Sequence, residues 1–243
     1  MTGHRPALRG LARSGRGTRP GPGVDSASLR WARRFGKPLL MPALGARLLG
    51  GPRSPGFRRV LLAQVFSWGG DLALNGRTRG CFLAGLGSFL AAHVAYISAY
   101  RSRSTAPVAG TPGRRTILAS GGAASAGVGL LAGRTDRTLA APVTAYGITL
   151  STMVAAAAAI DAEQGRRRVL AGAVLFMASD GLIAVRRFVA HDRGDLLGLA
   201  VMATYVGAQW CITEGMSGRP DLPRAVLSAG RPGIRVGVGA GLV

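Results

Sequence analysis

The sequence predicts an all-α fold, a polytopic bundle of transmembrane helices. Of its 243 residues, 48% are hydrophobic and only 17% are charged, whereas soluble domains carry about 25% charged residues. The charges are also clustered, because they lie mostly in short spacers and in the first 37 residues, with apolar stretches between them. Helix is the expected conformation of these stretches, since lipid offers no hydrogen-bonding partners to free backbone groups.

Seven apolar segments follow one another along the chain. Most have the roughly 17–25 residues that a helix needs to cross about 30 Å of hydrocarbon. The first segment is too short to span alone and contains Arg47. The predicted segments are 38–50, 58–74, 80–100, 116–133, 138–160, 167–185 and 195–216.

The segments divide the chain into three regions. The first, 1–36, is an Arg-rich tail with many Gly, Pro and Ser residues and no apolar run that could form the core of a signal peptide, so we expect it to be disordered. The transmembrane helical domain covers 37–216. A flexible C-terminal tail, 217–243, is expected to follow it.

The charge balance favours a membrane over a nucleic acid as the partner. The formal net charge is +21, but the basic residues are scattered over every spacer, which is typical of attraction to anionic lipid headgroups. We therefore expect membrane lipids as partners and no nucleic acid. Cys81 and Cys211 form no Cys-x-x-Cys or cysteine–histidine cluster, so the sequence predicts no metal, no disulfide and no cofactor.

The spacer arginines predict an orientation. Each spacer is counted together with the first two residues of the segment that follows it. On this count the spacers after the first, third and fifth segments, with the C-terminal tail, carry 14 arginines, and the other three spacers carry 7. The positive-inside rule places the first set in the cytoplasm. The Arg-rich tail would then lie outside if the first segment spans, so either that segment does not cross fully or a helix before Lys37 is missing.

A stripe of small residues predicts close helix packing. Gly121, Ser125 and Gly129 recur every four positions, and 155–159 is a run of alanines. Such surfaces let transmembrane helices approach one another closely. This pattern concerns structure and carries no functional meaning.

Two aspartates, Asp71 and Asp180, lie well inside apolar segments. An acidic side chain at the bilayer centre costs about 2.5–3.5 kcal/mol on insertion scales, so it usually faces a cavity or a partner and marks a function. Asp71 is 13 residues past Arg58, and Asp180 is 13 residues past Arg167. At about 1.5 Å per residue each carboxyl lies roughly 20 Å into the membrane. We expect two carboxyls at matching depth on parallel helices.

Other polar side chains inside the segments are candidates for the same site. Each of them has an alternative interpretation as a buried group that hydrogen-bonds to a neighbouring helix. Glu214, by contrast, lies near the predicted cytoplasmic end of its helix, where it can reach water. The candidates are His93, Tyr96, Tyr146, Tyr205 and Gln209.

At these residues the sequence resembles the YhhN family of lysoplasmalogenase-like membrane proteins. The family typically has eight membrane helices, one of them before the Lys-Pro element, where this chain has its Arg-rich tail. The resemblance therefore also leads us to expect that a helix before Lys37 is missing. It runs in order over about 37–214 and consists of Lys37-Pro38-Leu39-Leu40, Phe66-Ser67-Trp68-Gly69-Gly70-Asp71, Phe82, Gly85, Phe89, His93, Tyr96, Tyr146-Gly147-Ile148, Met153, Leu175-Phe176-Met177-Ala178-Ser179-Asp180, Tyr205 and Ala208-Gln209.

The resemblance implies hydrolysis of the vinyl ether bond of lysoplasmalogens, lysophospholipids of the cell membrane, to a fatty aldehyde and a glycerophosphoethanolamine or glycerophosphocholine. Cleavage of this bond begins with protonation by an acid, which suits a pair of carboxyls of which one is neutral and the other ionised. Asp180 is the hypothesised acid, since apolar neighbours favour a neutral carboxyl, and Asp71 the base, with the reverse assignment open. The expected orienting or substrate-binding residues are His93, Tyr96, Tyr146, Ser179, Tyr205 and Gln209.

Two other functional classes stay open at this point. The aspartates could relay protons or bind a cation in a proton-coupled transporter, although the sequence shows no internal repeat and no pair of broken segments in corresponding halves. The chain could also be a non-catalytic lipid-binding protein of the same fold. Release of aldehyde from a lysoplasmalogen distinguishes the hydrolase from both. The oligomeric state is not predicted.

Overall fold

A computed structural model describes residues 39–76, 78–189 and 195–218, and these residues form helices and the loops between them. The predicted all-α fold is confirmed for this part of the chain. The tail 1–36, the helix expected before Lys37 and the tail beyond residue 218 lie outside the described residues.

The described helices follow the predicted segments closely. A 3₁₀ turn, Arg137–Leu139, leads into the fifth helix, and a π-helical turn, Val185–Val189, extends the sixth. The helices are α1 (Leu39–Leu49), α2 (Phe57–Leu74), α3 (Arg79–Arg101), α4 (Pro112–Thr135), α5 (Ala140–Ala159), α6 (Arg166–Ala184) and α7 (Asp195–Met216).

Five of these helices, α3 to α7, are long and apolar enough to cross a membrane. Seven apolar segments were expected, the first of them too short to span; by length and composition, five of the described helices are long and apolar enough, and the expected number is corrected to that. Helix α1 is too short, as predicted. Helix α2 has 18 residues, but Arg58, Arg59 and Asp71 are among them and lower its hydropathy. The five apolar helices make the chain an integral membrane protein.

Side chains at the spacers explain where several helices begin. The hydroxyl of Thr78 accepts a hydrogen bond from the N–H of Cys81 and caps α3. Thr111 caps α4 in the same way, and Pro112 follows it at the first helical position, where its missing N–H costs nothing. Gly165 precedes α6 with a φ of 80°, a conformation that glycine adopts without strain.

The predicted small-residue stripe is the contact surface between α4 and α5. A Cβ atom added at Gly121 would lie 2.2 Å from the Ser151 hydroxyl, and one at Gly129 would lie 1.9 Å from the Thr144 hydroxyl. A side chain at either glycine would therefore push the helices apart. The alanine run is buried as well, with Ala155, Ala156, Ala157 and Ala159 at most 3% exposed.

A ladder of polar side chains joins α2 to α7. The members are spaced three or four residues apart on each helix, so they lie on one face of each. Ascending residue numbers on α2 meet descending numbers on α7, which makes the two helices antiparallel. The rungs are Gln64 Nε2 to Thr213 Oγ1 (2.9 Å), Gln209 Nε2 to Ser67 Oγ (3.2 Å) and Tyr205 Oη to Asp71 Oδ2 (2.7 Å).

Helix α6 is also antiparallel to α7. Gly172 lies against the backbone at Ala208, and seven residues later the hydroxyl of Ser179 donates to the carbonyl oxygen of Val201. Helices α2 and α6 therefore run in the same direction, as we expected from alternation across the membrane.

Buried Arg103 links the loops at one end of the bundle. It is 4% exposed, and burial lowers the pKa of its guanidinium. The carbonyl groups it bonds include two at the end of α7, where backbone oxygens lack helical partners. Its guanidinium donates to the carbonyl oxygens of Pro55 (3.2 Å), Gln164 (3.2 Å), Gly215 (2.7 Å) and Met216 (2.8 Å), and to the Ser54 hydroxyl.

Two of the other spacers meet at the opposite end. Arg79, at the start of α3, forms an ion pair of 3.1 Å with Asp136, at the end of α4. Hydrogen bonds from the hydroxyl and N–H of Thr138, together with the Arg79 charge, lower the pKa of Asp136. The described parts of these spacers therefore fall into the two sets given by the arginine count. Which set faces the cytoplasm stays a prediction.

Glu214 is more constrained than its sequence position indicated. Its carboxylate accepts a hydrogen bond from Arg47 Nε at 2.5 Å, and the same guanidinium lies 4.8 Å from the centroid of the Trp210 ring. Arg47, which made the first segment a poor membrane span, thus ties α1 to α7.

Replacement of Arg103 by Gln is expected to destabilise the protein. The buried carbonyl oxygens of Gly215 and Met216 would lose charged donors, which costs about 2–4 kcal/mol. Thermal unfolding in detergent measures the effect as a lower midpoint. Arg53, which is exposed on the loop before α2, provides the control, and equal midpoints for Arg103→Gln and Arg53→Gln would contradict the structural role.

Candidate functional site

A cavity of about 230 Å³ lies inside the bundle. It is bordered by α2 to α7 and by the π-helical turn, so it depends on the packing of the whole molecule. Its wall is mainly apolar. Both aspartates that the sequence singled out, Asp71 and Asp180, line it. Other lining residues are Leu74, Phe82, Leu86, Phe89, Val128, Val143 and Ile183.

Asp71 lies near the C-terminal end of α2 and is 3% exposed. Its Oδ2 atom accepts the hydrogen bond of the Tyr205 hydroxyl at 2.7 Å, the last rung of the ladder between α2 and α7. A carboxyl in an apolar interior needs such a donor, because burial without a partner costs several kcal/mol. Tyr205 therefore both satisfies and orients the Asp71 carboxyl.

Asp180 has a matching arrangement on α6. Its Oδ2 atom accepts a hydrogen bond of 2.5 Å from the hydroxyl of Tyr146, on α5. Asp180 is half-buried, so more of it faces open space than of Asp71. The site thus consists of two carboxyl–tyrosine pairs, each of which bridges two different helices.

An aromatic contact links α6, one turn before Asp180, to the tyrosine that holds Asp71. Phe176, one turn before Asp180 on α6, contacts Tyr205 with ring centroids 5.5 Å apart, and Tyr205 is the partner of Asp71. Asp180 follows Phe176 by four residues, which is about 6 Å along α6. The matching depth of the two carboxyls, estimated from the arginines, stays a prediction.

Aromatic rings pack behind the carboxyls and fix the two tyrosines. Phe89 lies edge-on to both Phe176 and Tyr205, with centroids 6.2 Å apart in each pair. His93 lies edge-on to Phe176 at 4.8 Å and to Tyr146 at 5.1 Å. Edge-to-face contacts at these distances are favourable. They limit the rotation of the rings that hold the carboxyls.

The predicted site residues divide into two groups. Asp71, Asp180, Tyr146, Ser179 and Tyr205 line the cavity. The Ser179 hydroxyl, however, bonds to the backbone of α7 at 3.2 Å and so contributes to helix packing.

The other predicted residues lie behind the cavity wall and are not among its described lining residues. Tyr96 donates to Gln209 Oε1 at 2.6 Å, and Gln209 continues the bond chain to Ser67. His93 is fully buried, and its ring nitrogens have no hydrogen-bond partner among the described residues. The structure gives these three residues packing and orienting positions.

Sequence reasoning missed Arg187, which also lines the cavity. It lies in the π-helical turn, seven residues after Asp180, and its guanidinium carbon lies 3.8 Å from the centroid of the Phe82 ring. Spacing was the available signal, because residues seven apart share a helix face. In the sequence, Arg187 stands just after the sixth apolar segment and so resembles an ordinary spacer charge.

The described part of the chain contains no group of three or more His, Cys, Asp or Glu side chains that could hold a metal ion. Cys81 and Cys211 are free thiols. The polar side chains that line the cavity carry carboxyls, hydroxyls and one guanidinium. The molecule belongs to the class of helical integral membrane proteins with paired carboxyls at an internal cavity.

Comparison with known proteins identifies the family. The model of the YhhN family matches residues 32–216, which is more than half of the chain. The chain belongs to the YhhN family. No solved structure matches it significantly.

Curated relatives are known from two mycobacteria. The proteins named lysoplasmalogenase from Mycobacterium bovis and Mycobacterium tuberculosis are each 32% identical to it over 150 residues. The match covers 58% of this chain and 53% of each relative. The chain thus spans about half the length of the curated relatives it matches.

Replacement of Gly70 by Ala is expected to disturb the site. Its Cβ would lie 2.5 Å from the Phe89 ring, which cannot retreat because Phe176 and Tyr205 pack against it. Overpacking of this kind costs about 1–3 kcal/mol. Thermal unfolding in detergent compares it with Gly87→Ala, whose Cβ meets nothing within 4 Å. The packing argument fails if the two variants unfold at the same temperature.

Proposed function

We propose that the chain is a lysoplasmalogenase-like hydrolase of the cell membrane, which cleaves the vinyl ether bond of lysoplasmalogens. The products are a fatty aldehyde and glycerophosphoethanolamine or glycerophosphocholine. One observation carries the proposal: two carboxyls line one apolar cavity, and each is held by a tyrosine hydroxyl. The similarity to two mycobacterial proteins named lysoplasmalogenase supports it.

The first step of the proposed reaction is protonation of carbon. A neutral carboxyl gives its proton to the β-carbon of the vinyl ether, and the electron pair of the double bond forms the new C–H bond. The adjacent carbon becomes an oxocarbenium ion that shares positive charge with the ether oxygen. The second, ionised carboxyl stabilises this cation, the same division of labour that glycosidases use.

Water then completes the cleavage. Its oxygen bonds to the oxocarbenium carbon while the ionised carboxylate takes one of its protons. The resulting hemiacetal loses its hydroxyl proton and breaks the bond to the glycerol oxygen, which takes up a proton. Aldehyde and glycerol hydroxyl are released, and the net reaction consumes one water molecule.

Asp71 and Asp180 are the proposed catalytic residues, and Tyr146 and Tyr205 are positioning residues. The sequence-based hypothesis made Asp180 the acid. The exposures favour the reverse assignment, because Asp180 faces open cavity and can contact water, whereas Asp71 is 3% exposed. In this assignment Asp71 protonates the substrate and Asp180 activates water.

The walls of the cavity suit the alkyl part of such a substrate. Leucine, valine and phenylalanine side chains surround the carboxyls. An apolar pocket with a few convergent polar groups is the usual form of a binding site for a small amphipathic molecule. The substrate itself resides in the membrane, so it can enter from lipid.

Activity should depend on each carboxyl separately. Purified protein in detergent is incubated with a lysoplasmalogen, and released aldehyde is measured. Asp71→Asn and Asp180→Asn are each expected to lower kcat by about 10²–10⁴-fold, the usual contribution of general acid–base catalysis. The matched control is Asp161→Asn, on a loop at the far end of the bundle, which is expected to retain activity.

Folded wild-type protein that releases no aldehyde from either the ethanolamine or the choline substrate would overturn the proposal. A transporter or a lipid-binding protein of the same fold would give that result. Activity in both Asn variants at the wild-type level would separate the reaction from this cavity even if the chain is a hydrolase.

The pH dependence of kcat/KM assigns the roles. A mechanism with one ionised and one neutral carboxyl predicts a bell-shaped profile. The rising limb reports ionisation of the base and the falling limb reports ionisation of the acid. Residual activity of Asp180→Asn should lose the rising limb, and that of Asp71→Asn the falling limb. The opposite pattern would restore the assignment with Asp180 as the acid.

A further inference from the structure

We infer that Arg187 binds the phosphate group of the lysophospholipid at one end of the cavity, while the two carboxyls act on the ether bond. This inference rests on the proposed function for the identity of the substrate. It extends that function by naming the chain's own residue for the polar end of the molecule.

Arg187 and the carboxyls border the same space. Among the described residues that line the cavity, three have acidic or basic side chains, and these are Asp71, Asp180 and Arg187. Arg187 lies beyond the end of α6 in the π-helical turn, toward the end of the bundle at which Arg79 pairs with Asp136. Such turns occur often at functional sites, because they alter the direction of a side chain within a helix.

The guanidinium of Arg187 is placed by aromatic rings and has no anionic partner in the described part of the chain. It lies 3.8 Å from the Phe82 ring centroid and 5.9 Å from that of Phe188. Stacking on a ring leaves the N–H groups at the edge of the guanidinium available, and they match two oxygens of a phosphate. Arg79, by contrast, already pairs with Asp136 and Thr138.

The spacing along the helix suits a glycerophospholipid. Seven residues separate Asp180 from Arg187, which corresponds to about 10 Å along the axis. In the substrate, the ether oxygen and the phosphorus are joined through the glycerol carbons and one oxygen, an extended separation of roughly 6 Å with ordinary bond lengths. The side chains of Asp180 and Arg187 are flexible and can make up the difference between these two lengths, so one substrate molecule can contact both.

Phosphate recognition also fits both proposed headgroups. Ethanolamine and choline differ in their amines, and the phosphate is the charged group that they share. A site that binds the phosphate accepts both lipids and disfavours the same alkenyl chain on a glycerol without phosphate. The predicted signature is a preference for the phosphorylated substrate that depends on Arg187.

The kinetic test compares two substrates, an alkenyl-glycerophosphoethanolamine and the corresponding alkenylglycerol, in a phosphate-free maltoside detergent. Arg187→Gln is expected to lower the ratio of their kcat/KM values at least tenfold, mainly through a higher KM for the phosphorylated lipid, because a charged hydrogen bond is lost. Arg187→Lys keeps a point charge and should retain part of the preference. Arg186→Gln, which removes a charge from the same turn, is the control and should keep the wild-type ratio.

A binding test makes the inference independent of turnover. The probe is a labelled alkyl-ether lysophospholipid, whose saturated ether cannot be protonated on carbon. Arg187→Gln is expected to weaken its binding at least tenfold relative to wild type and to Arg186→Gln.

The outcomes separate the two proposals. Weaker probe binding by Arg187→Gln, with no aldehyde released by wild type, supports the phosphate site and overturns the proposed reaction. Aldehyde release, with substrate preference and probe affinity the same in Arg187→Gln as in wild type, leaves the reaction standing and overturns the phosphate site. Absence of probe binding by wild type also overturns it.

Discussion

The burial of two carboxyls among apolar helices is the constraint on which the rest of the structure depends. A polar group in such surroundings must find its partner within the protein. Asp71 obtains its donor from Tyr205 on α7, and Asp180 obtains its donor from Tyr146 on α5. Each pair sets the rotation of one helix relative to another, and together they bring four helices around one cavity.

The packing that satisfies the carboxyls also shapes the space beside them. The hydrogen bonds between α2 and α7 hold Tyr205 in place, and the ring of Phe176 on α6 packs against it. At one end of the bundle, Arg103 donates hydrogen bonds to the carbonyl oxygens at the end of α7. The cavity is thus held by interactions on several helices, so no single hairpin of the fold contains a complete site.

Hydropathy predicted most of the fold, because a helix that crosses a membrane must have a certain length and an apolar composition. The prediction was weakest where charges interrupt the pattern. Arg47 shortens the first apolar segment, and Arg58, Arg59 and Asp71 distinguish α2 from the five apolar spans. The packing role of the glycine stripe on α4 was also predictable, since small residues at a spacing of four have little other use in an apolar helix.

The sequence by itself determined the helical class, the approximate spans and the two aspartates, because the cost of a charge in hydrocarbon is a property of each segment alone. Only the tertiary structure decided which tyrosine meets which aspartate and the place of Arg187 in the same cavity. These depend on the rotation and register of neighbouring helices. A helix that is apolar all round carries little information about either, because most of its faces suit lipid equally well.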